Sequence, residues 1–481
     1  MKGDVYSLMV GALLCGAWST GNAAEPGAFR EQRLPSHEAE LLKDRLQNGD
    51  RPRLGIAMSG GGIRSSLFNI GVLKALYDQG VLDDVDIVSS VSGGSYTTYW
   101  LYTNQMAAPD QRFGYRALDD QHFPERVCEI ITEGNFVKTT TMARYFATGV
   151  FSGFAGARSM YQNALVRTYG DQDAGPIHID QLAPLVAAGQ APYLIVNAST
   201  RGRAEKKLPW QQRLFEFTPL HYGNVERGYS PWNGRQHPMQ VAAVTSGAAI
   251  APLSRTFESP WGADAGGSVK LYDGGKTENL GAVAPLLRGT GRLIVVDAQL
   301  DKESNPFEAY VRLKNNLAPL HIDVSIPAID ADPRQQVSRF AGTARSQAVT
   351  TQLDYIKMRI PASLRAEMAA TPVEVMQQGA DFKDRYYDAL EANRAGGNWN
   401  CSSVAGMTGD FRNWLLFDTD QYMKWSESHG LYRTLTRVLP DRQEFPEHST
   451  VDQSFYLDQA MAYIGLGYLV TMRDSPVSAS R

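Results

Sequence analysis

Three short segments of the sequence hold residues that could perform acyl-transfer chemistry. The first, 59–65 (SGGGIRS), places Gly60, Gly61 and Gly62 directly after an apolar run. Glycines let the backbone turn sharply, and consecutive N–H groups at the start of a helix can stabilise an oxyanion or hold a phosphate. A nucleotide-binding loop is the rival interpretation. Against it, the Gly-Lys-Ser/Thr ending of a P-loop is absent, and Ser65 replaces the third glycine of a dinucleotide-binding motif.

The second segment, 90–94 (SVSGG), has the layout of a nucleophile elbow, in which a serine stands on a sharp turn from a strand to a helix. Ser90 occupies the place of the first glycine in the G-x-S-x-G pattern. Ser90 and Ser95 are rival hydroxyls, but only Ser92 has an apolar run before it and two glycines directly after it. The segment therefore predicts Ser92 as the nucleophile.

The third segment, 273–275 (DGG), follows the apolar run 269–272. A carboxylate at the carboxyl end of a sheet strand lies where the active sites of α/β proteins form. The alternative is an ordinary Asp-Gly turn, which is the commoner meaning of that dipeptide. Asp273 is therefore a candidate active-site carboxylate.

Apolar runs separated by turn residues predict the elements that position these segments. The predicted strands are 53–58, 85–91, 193–197, 214–218, 269–272 and 293–297, and the predicted helices are 65–79, 240–250 and 456–472. Strands that alternate with helices indicate an α/β fold with a mainly parallel sheet. After about residue 300 the chain becomes more polar and helical, and its last apolar segment is predicted to be a docked core helix rather than a membrane span.

Together, the three segments resemble the patatin-like phospholipases. The marks of that family are a glycine-rich oxyanion loop, a G-x-S-x-G serine and an Asp-Gly-Gly/Ala partner, in this order. The stretch 242–252 (AAVTSGAAIAP) looks like the alanine-rich block of the family, and Arg64 after the glycines leans the resemblance toward the cytosolic phospholipase A2 branch. The resemblance covers roughly 53–300, while 445–450 (FPEHST) is similar to bacterial members. It implies a three-layer α/β/α fold with a helical C-terminal extension.

The resemblance also implies a Ser–Asp dyad that works without histidine, cofactor or metal. Ser92 would attack an ester carbonyl to form an acyl-enzyme, and Asp273 would take the proton and later activate water. The Gly60–Gly62 loop would form the oxyanion hole, and Arg64 would hold a phosphate or support the loop. An aspartate with an ordinary pKa is a weak base for a hydroxyl, so we expect burial to raise the pKa of Asp273. The implied substrate is a phospholipid or another acyl-ester lipid.

Two other functions remain open from the sequence. The chain order Ser92, Asp273, His448 also fits an α/β-hydrolase esterase with a catalytic triad. Against the triad, the glycine loop stands only about 30 residues before the serine, and His448 lies in a proline-containing turn that could simply cap the next helix. The other alternative is a non-catalytic lipid-binding protein on a hydrolase scaffold.

Length, composition and charge limit the possible domain organisation and the possible partners. The 481 residues are 43% hydrophobic and 20% charged, which allows one large α/β domain with additions or two domains. A formal net charge of −4 and the absence of long basic runs argue against a nucleic-acid partner. The apolar, glycine-rich stretch 145–157 is either an interfacial lid joined by Tyr96, Tyr99 and Trp100, with peripheral membrane contact, or a buried helix hairpin.

The N-terminal residues predict export. An apolar stretch followed by small residues up to Ala24 is typical of a signal peptide. We therefore divide the chain into a signal peptide (1–24), a linker with a lead-in helix (25–50), a catalytic domain (51–300) and a helical extension packed on it (301–481), and expect the product in the periplasm, the cell envelope or the medium. Cys128 and Cys401 would then either pair in an oxidising compartment or remain two separate buried thiols.

Overall fold

The computed structural model describes residues 35–43, 46, 51–132, 155–171, 173–200, 209–234, 237–249, 253–261, 267–300, 307–394, 399–428, 445–447, 455 and 457–473. Three sequence predictions concern residues outside these ranges. They are the signal peptide (1–24), the alternative triad residue His448 and the part 145–154 of the interfacial stretch.

The strands of the described residues form one mixed sheet. They are β1 Leu54–Met58, β2 Val85–Val91, β3 Tyr193–Thr200, β4 Leu214–Phe217, β5 His221–Asn224, β6 Gly228–Pro231, β7 Arg255–Glu258, β8 Ser268–Asp273, β9 Arg292–Asp297, β10 Asp323–Ser325, β11 Arg339–Arg345 and β12 Thr350–Lys357. The order is β10-β11-β12-β9-β1-β2-β3-β4-β5-β6, with β8 on β3 and β7 on β8. The pairs from β12 to β3 are parallel, which confirms the predicted mainly parallel centre.

Helices cover both faces of this sheet. In the described residues they are α1 Ser36–Leu42, α2 Gly62–Asp78, α3 Gly93–Ala107, α4 Tyr115–Leu118, α5 Phe123–Thr132, α6 Ala155–Tyr169, α7 Leu182–Ala187, α8 Trp210–Arg213, α9 Met239–Ser246, α10 Val283–Leu287, α11 Glu308–Leu317, α12 Pro327–Ala331, α13 Ala362–Ala370, α14 Val373–Ala392, α15 Phe411–Ser428 and α16 Leu457–Arg473. No helix among these described segments is long and apolar enough to cross a membrane.

Alternate side chains of the central strands enter two different hydrophobic cores. Ile56 and Met58 of β1 belong to the core that also contains α2, α3 and α16, whereas Ala57 belongs to the core that contains α10 and α11. Successive residues of a strand point to opposite faces, so a strand buried throughout needs helices on both sides. The molecule is therefore the predicted three-layer α/β/α fold.

The part of the chain after residue 300 contributes strands as well as helices. β12 pairs in parallel with β9 over Gln352–Lys357 and Arg292–Asp297, and β11 and β10 extend the sheet beyond it. The sequence pattern predicted a polar, helical region here, so these strands correct that prediction. Glycine and alanine have low strand propensity, so β11 (RFAGTAR) carries a weak local signal, and its pairing with β12 determines its structure.

The last helix, α16, packs directly on α2, which confirms the prediction of a docked core helix. A Cβ atom on Gly71 of α2 would overlap Ile464 O, and one on Gly467 of α16 would overlap Phe68 O. Glycine at both positions lets the two helix backbones approach closely. The helix whose first turn carries the glycine loop is thus held by the C-terminal part of the chain.

Cys128 of α5 and Cys401 form a disulfide that closes 273 residues of chain. The pairing decides between the two alternatives that the sequence left open. Because α5 precedes residue 300 and Cys401 follows it, the bond links the two predicted regions covalently.

Candidate active site

Strands β2 and β8 both pair with β3, and their carboxyl ends meet there and bring the predicted nucleophile and base together. β2 pairs with β3 up to Val91, which lies opposite Asn197. β8 runs antiparallel along the part of β3 that extends past β2, and its last residue, Asp273, lies opposite Ala198. Ser92 follows Val91 directly, so it lies beside Asp273 although 181 residues separate the two in sequence.

The turn at Ser92 has the geometry of a nucleophile elbow. Ser92 has φ 49° and ψ −116°, a conformation that residues other than glycine rarely adopt. The next residue begins α3, and a Cβ atom on Gly93 would overlap Gly62 O, while one on Gly94 would overlap Met58 O. The two glycines after the serine are therefore required by the close approach of the glycine loop and the end of β1.

Ser92 and Asp273 form a direct hydrogen bond. Ser92 Oγ donates to Asp273 Oδ2 at 3.2 Å, and Gly275 N–H donates to Asp273 Oδ1 at 2.8 Å. Both side chains are buried, with relative exposures of 6% and 8%. The serine thus meets the carboxylate without an intervening imidazole, and the second carboxylate oxygen is fixed by the backbone that follows it.

Burial raises the pKa of the Asp273 carboxyl from 3.8 to about 6. The N–H of Gly275, the charge of Lys276 and the hydroxyl of Ser92 all lower this pKa, but the loss of solvation is the larger effect. A carboxylate with a higher pKa is a better proton acceptor, and a pKa near 6 keeps it ionised at neutral pH. The expected rise is therefore present.

The hydrogen bonds of the glycine loop distinguish its three glycines. Gly60 N–H donates to Asn279 O at 2.9 Å, so this N–H is already used. The N–H groups of Gly61 and Gly62 have no protein acceptor among the described residues. Gly61 has φ 146° and Gly62 has φ 64°, values that favour glycine. A Cβ atom on Gly60 would lie 3.0 Å from the Cβ of Ser92, which places the loop against Ser92.

Arg64 lies in the first turn of α2 with its side chain 1% exposed. Its Nη2 donates to Ala298 O at 2.8 Å, and its Nη1 lies 4.0 Å from Glu447 Oε2. The Cβ position of Gly61 is only 2.8 Å from the same Ala298 O. The guanidinium therefore joins the glycine loop to the turn after β9, which agrees with a supporting role for this residue.

Three neighbours of the dyad had no predicted role. Ser246, at the end of α9, accepts a hydrogen bond from Ser92 N–H at 2.8 Å and donates to Asn197 O at 2.6 Å. Asn279 accepts from Gly60, and its Nδ2 donates to Gln299 Oε1 at 2.7 Å. The alanine-rich stretch 242–252 was a signal for Ser246, but no local pattern marks Asn197 or Asn279.

The aromatic side chains Tyr96, Tyr99 and Trp100 do not face lipid or solvent. Their relative exposures are 1%, 1% and 2%, and all three belong to the main hydrophobic core. The expectation that they join an interfacial surface is therefore wrong for these residues. They lie on α3, whose sides are covered by α2, α6 and α9.

One group of side chains in the described residues has ligand atoms close enough together for a metal ion: His37, Glu38 and His221. Both Glu38 oxygens accept hydrogen bonds from Arg288, at 2.7 and 2.9 Å, and Tyr193 OH donates to Oε1 at 2.9 Å. A guanidinium that holds both oxygens opposes a further cation there. We assign the group to the attachment of α1 to the sheet.

Comparisons with known proteins agree with this fold. Residues 56–219 match the Patatin family, described as patatin-like phospholipase. Human cytosolic phospholipase A2 gamma is 36% identical over 206 residues, which are 41% of this chain and 34% of that protein. Probable lysophospholipase 3 of Schizosaccharomyces pombe is 25% identical over 236 residues, 44% of this chain and 35% of that protein. The chain thus spans about a third of the length of these curated relatives.

Among solved structures, human GIVD cytosolic phospholipase A2 is similar with a TM-score of 0.53 and 14% sequence identity. The similarity covers 92% of this chain and 63% of that chain. At this identity the likeness shows the fold alone. It extends over nearly the whole chain, well past the residues that the family match covers.

Proposed function

We propose that this chain, which belongs to the patatin-like phospholipase family, is a serine lipid acyl hydrolase that cleaves carboxylic esters through a Ser92–Asp273 dyad. The observation that carries the proposal is the direct hydrogen bond of 3.2 Å between Ser92 Oγ and Asp273 Oδ2 at a strained elbow. The names of the relatives, a phospholipase A2 and a probable lysophospholipase, support a phospholipid or lysophospholipid substrate.

In the proposed mechanism, Asp273 Oδ2 takes the proton of Ser92 while Oγ attacks the ester carbonyl. The protonated carboxyl then gives this proton to the leaving alcohol, which completes an acyl-enzyme on Ser92. Asp273 next accepts a proton from water while the water oxygen attacks the acyl carbonyl. The carboxyl then returns this proton to Ser92 Oγ as the bond between Oγ and the acyl group breaks and the fatty acid leaves. The hydrogen bond from Gly275 N–H to Oδ1 keeps Oδ2 directed at the serine throughout.

We assign the oxyanion hole to the N–H groups of Gly61 and Gly62. In the part of the chain that the structure describes, these two N–H groups of the loop have no protein acceptor. They lie at the N-terminus of α2, where the helix dipole favours negative charge. Gly60 has a different role in this proposal, because its N–H anchors the loop to Asn279 O. Gly60 must also stay small, since a Cβ atom there would overlap Asn279 Oδ1.

For Arg64 we propose a supporting role, on the evidence of its hydrogen bond to Ala298 O. A direct contact with a substrate phosphate is the alternative. Activity measured on two kinds of substrate distinguishes these two roles. If Arg64 supports the loop, Arg64→Lys weakens its hydrogen bond to Ala298 O and lowers activity on every ester. If Arg64 instead contacts a substrate phosphate, the substitution lowers activity on phospholipids but not on uncharged short-chain esters.

The test is acyl release from mixed phospholipid vesicles and from a short-chain ester by the wild type, Ser92→Ala, Asp273→Asn and His448→Ala. We expect the first two variants to lose activity at least about 10³-fold, because nucleophile and base act as a unit. His448→Ala should retain activity within a few-fold of the wild type. The products released from the vesicles identify the bond that is cut.

Two outcomes would replace the proposal. A folded His448→Ala protein as inactive as Ser92→Ala would favour the triad esterase. A wild-type protein that neither releases acyl groups nor reacts at Ser92 with a fluorophosphonate, while it still binds vesicles, would indicate a non-catalytic lipid-binding protein.

We further propose export and peripheral membrane contact. The Cys128–Cys401 disulfide supports an oxidising compartment. A mature N-terminus directly after Ala24, found by sequencing the protein from an envelope or medium fraction, tests the export. For the membrane, Asp substitutions at Phe151 and Phe154 should weaken vesicle binding if the stretch 145–157 touches lipid, and unchanged binding would end that proposal.

A further inference from the structure

We infer that Ser246 is a positioning residue that holds the nucleophile Ser92 in its reactive backbone conformation. Ser246 is the last residue of α9 and is fully buried. Its hydroxyl accepts a hydrogen bond from Ser92 N–H at 2.8 Å, across 154 residues of sequence. The catalytic consequence of this contact rests on the proposed function, whereas the contact can be tested without it.

The hydrogen bonds of Ser246 show which bonds its hydroxyl donates and which it accepts. Its single proton is donated to Asn197 O at 2.6 Å. Its oxygen accepts from Ser92 N–H and from Ser95 Oγ, the latter at 3.0 Å. A serine hydroxyl offers one donor and two acceptor sites, so every site is occupied. Ser246 is therefore bound to Asn197 within β3, and in its contact with Ser92 it is only an acceptor.

Ser92 needs such a contact because its backbone is strained. A non-glycine residue with φ 49° and ψ −116° persists only where the surrounding structure holds it. The hydrogen bond acts on the N–H of the strained residue itself. It also occupies that N–H, so Ser92 contributes no donor to the oxyanion, and that role falls to the glycine loop.

The first arm of the test measures backbone hydrogen exchange at Ser92 and needs no catalysis. Ser246→Ala removes the acceptor that this N–H has among the described residues, so exchange should become at least about tenfold faster. Ser95→Ala is the matched control, because Ser95 is equally buried and its side chain donates to the same Ser246 oxygen. Its own contact with Ser92 is a backbone hydrogen bond, from Ser95 N–H to Ser92 O, which alanine retains. Unchanged exchange in Ser246→Ala, or an equal acceleration in Ser95→Ala, would overturn the inference.

The second arm measures the rate at which a fluorophosphonate labels Ser92, together with kcat and KM for a short-chain ester. A misplaced nucleophile should slow labelling and kcat by about 10- to 100-fold in Ser246→Ala and leave KM within about threefold. Ser246→Thr, which keeps the hydroxyl, should recover most of the loss. If Ser246→Ala does not fold, Ser246→Cys replaces it, because a thiol is a weak acceptor.

The two arms separate failure of the inference from failure of the proposed function. Labelling of folded Ser246→Ala at the wild-type rate refutes a positioning role. By contrast, a wild type that is never labelled, with an exchange rate that still responds to Ser246→Ala, refutes the hydrolase while the contact stands.

Discussion

Replacement of Asp273 by asparagine should abolish hydrolysis and make the folded protein more stable, by an amount that grows with pH. Asparagine keeps the shape of the carboxylate, and its Oδ1 can still accept from Gly275 N–H. The substitution removes the negative charge that Asp273 carries in a buried site. The rise of the Asp273 pKa from 3.8 to about 6 corresponds to ~3 kcal/mol by which burial disfavours the ionised carboxylate.

The sign of the pH dependence follows from the raised pKa. Below pH 3.8 the carboxyl is protonated in both the folded and the unfolded chain, so the wild type carries no penalty. As the pH rises from 3.8 to about 6, the unfolded chain ionises first and the folded protein loses stability. The stability advantage of Asp273→Asn should therefore be ~1 kcal/mol at pH 4.5 and ~3 kcal/mol at pH 8.

Thermal melts of both proteins at pH 4.5 and pH 8 provide the assay. Ser92→Ala is the control, because it is equally inactive in the proposed mechanism but keeps the buried carboxylate. Its difference from the wild type should change little with pH. An independent measure of the same pKa is kcat/KM on a soluble ester. It should fall about tenfold per pH unit below pH 6, because only the ionised carboxylate accepts the serine proton.

Two results would refute this reasoning. An equal difference in melting temperature between Asp273→Asn and the wild type at both pH values would mean that burial does not disfavour the carboxylate. A kcat/KM profile that stays flat down to pH 4.5 would mean that the base has an ordinary pKa, or that another group is the base.

Three further predictions concern stability. Replacing Cys128 and Cys401 by serine should lower the free energy of unfolding by about 2–5 kcal/mol, and a reductant should then lower the melting temperature of the wild type but not of the variant. Gly467→Ala should destabilise the protein by ~1–3 kcal/mol in melts, although alanine normally favours a helix, because its Cβ overlaps the backbone of α2. Lys357→Met should cost about 3–5 kcal/mol, since it leaves the buried Asp297 unpaired, and adding Asp297→Asn should recover part of the loss.

The sequence predicted those parts of the fold and site that have strong local signals. The strands predicted at 53–58 and 85–91 appear as Leu54–Met58 and Val85–Val91, each followed by a glycine-containing turn and a helix. Continuous apolar runs that end in glycines allow few other structures. Ser92 and Asp273 could be predicted as candidate residues because each lies where a strand ends.

What the sequence could not predict depends on contacts between distant segments. No pattern near residue 273 shows that β8 runs antiparallel and meets the end of β2, because that arrangement depends on the length of β3 beyond Asn197. The sequence also could not predict that the N–H of Gly60 is hydrogen-bonded within the protein while those of Gly61 and Gly62 have no acceptor among the described residues. Which N–H of the loop remains available is decided by Asn279, more than 200 residues away.

The turn after β9 explains why the C-terminal part of the chain matters to the site. Ala298 O accepts from Arg64, and Ala298 N–H donates to Ser59 Oγ at 2.7 Å, so this turn holds both ends of the glycine loop. Lys357 of β12 donates to Gln299 O at 2.9 Å and pairs with Asp297 at 3.0 Å, with both charged side chains fully buried. The loop is therefore supported by a strand that follows residue 300. Since α16 also packs on α2, which begins with the last glycine of the loop, the geometry of the glycine loop depends on residues well outside the family match at 56–219.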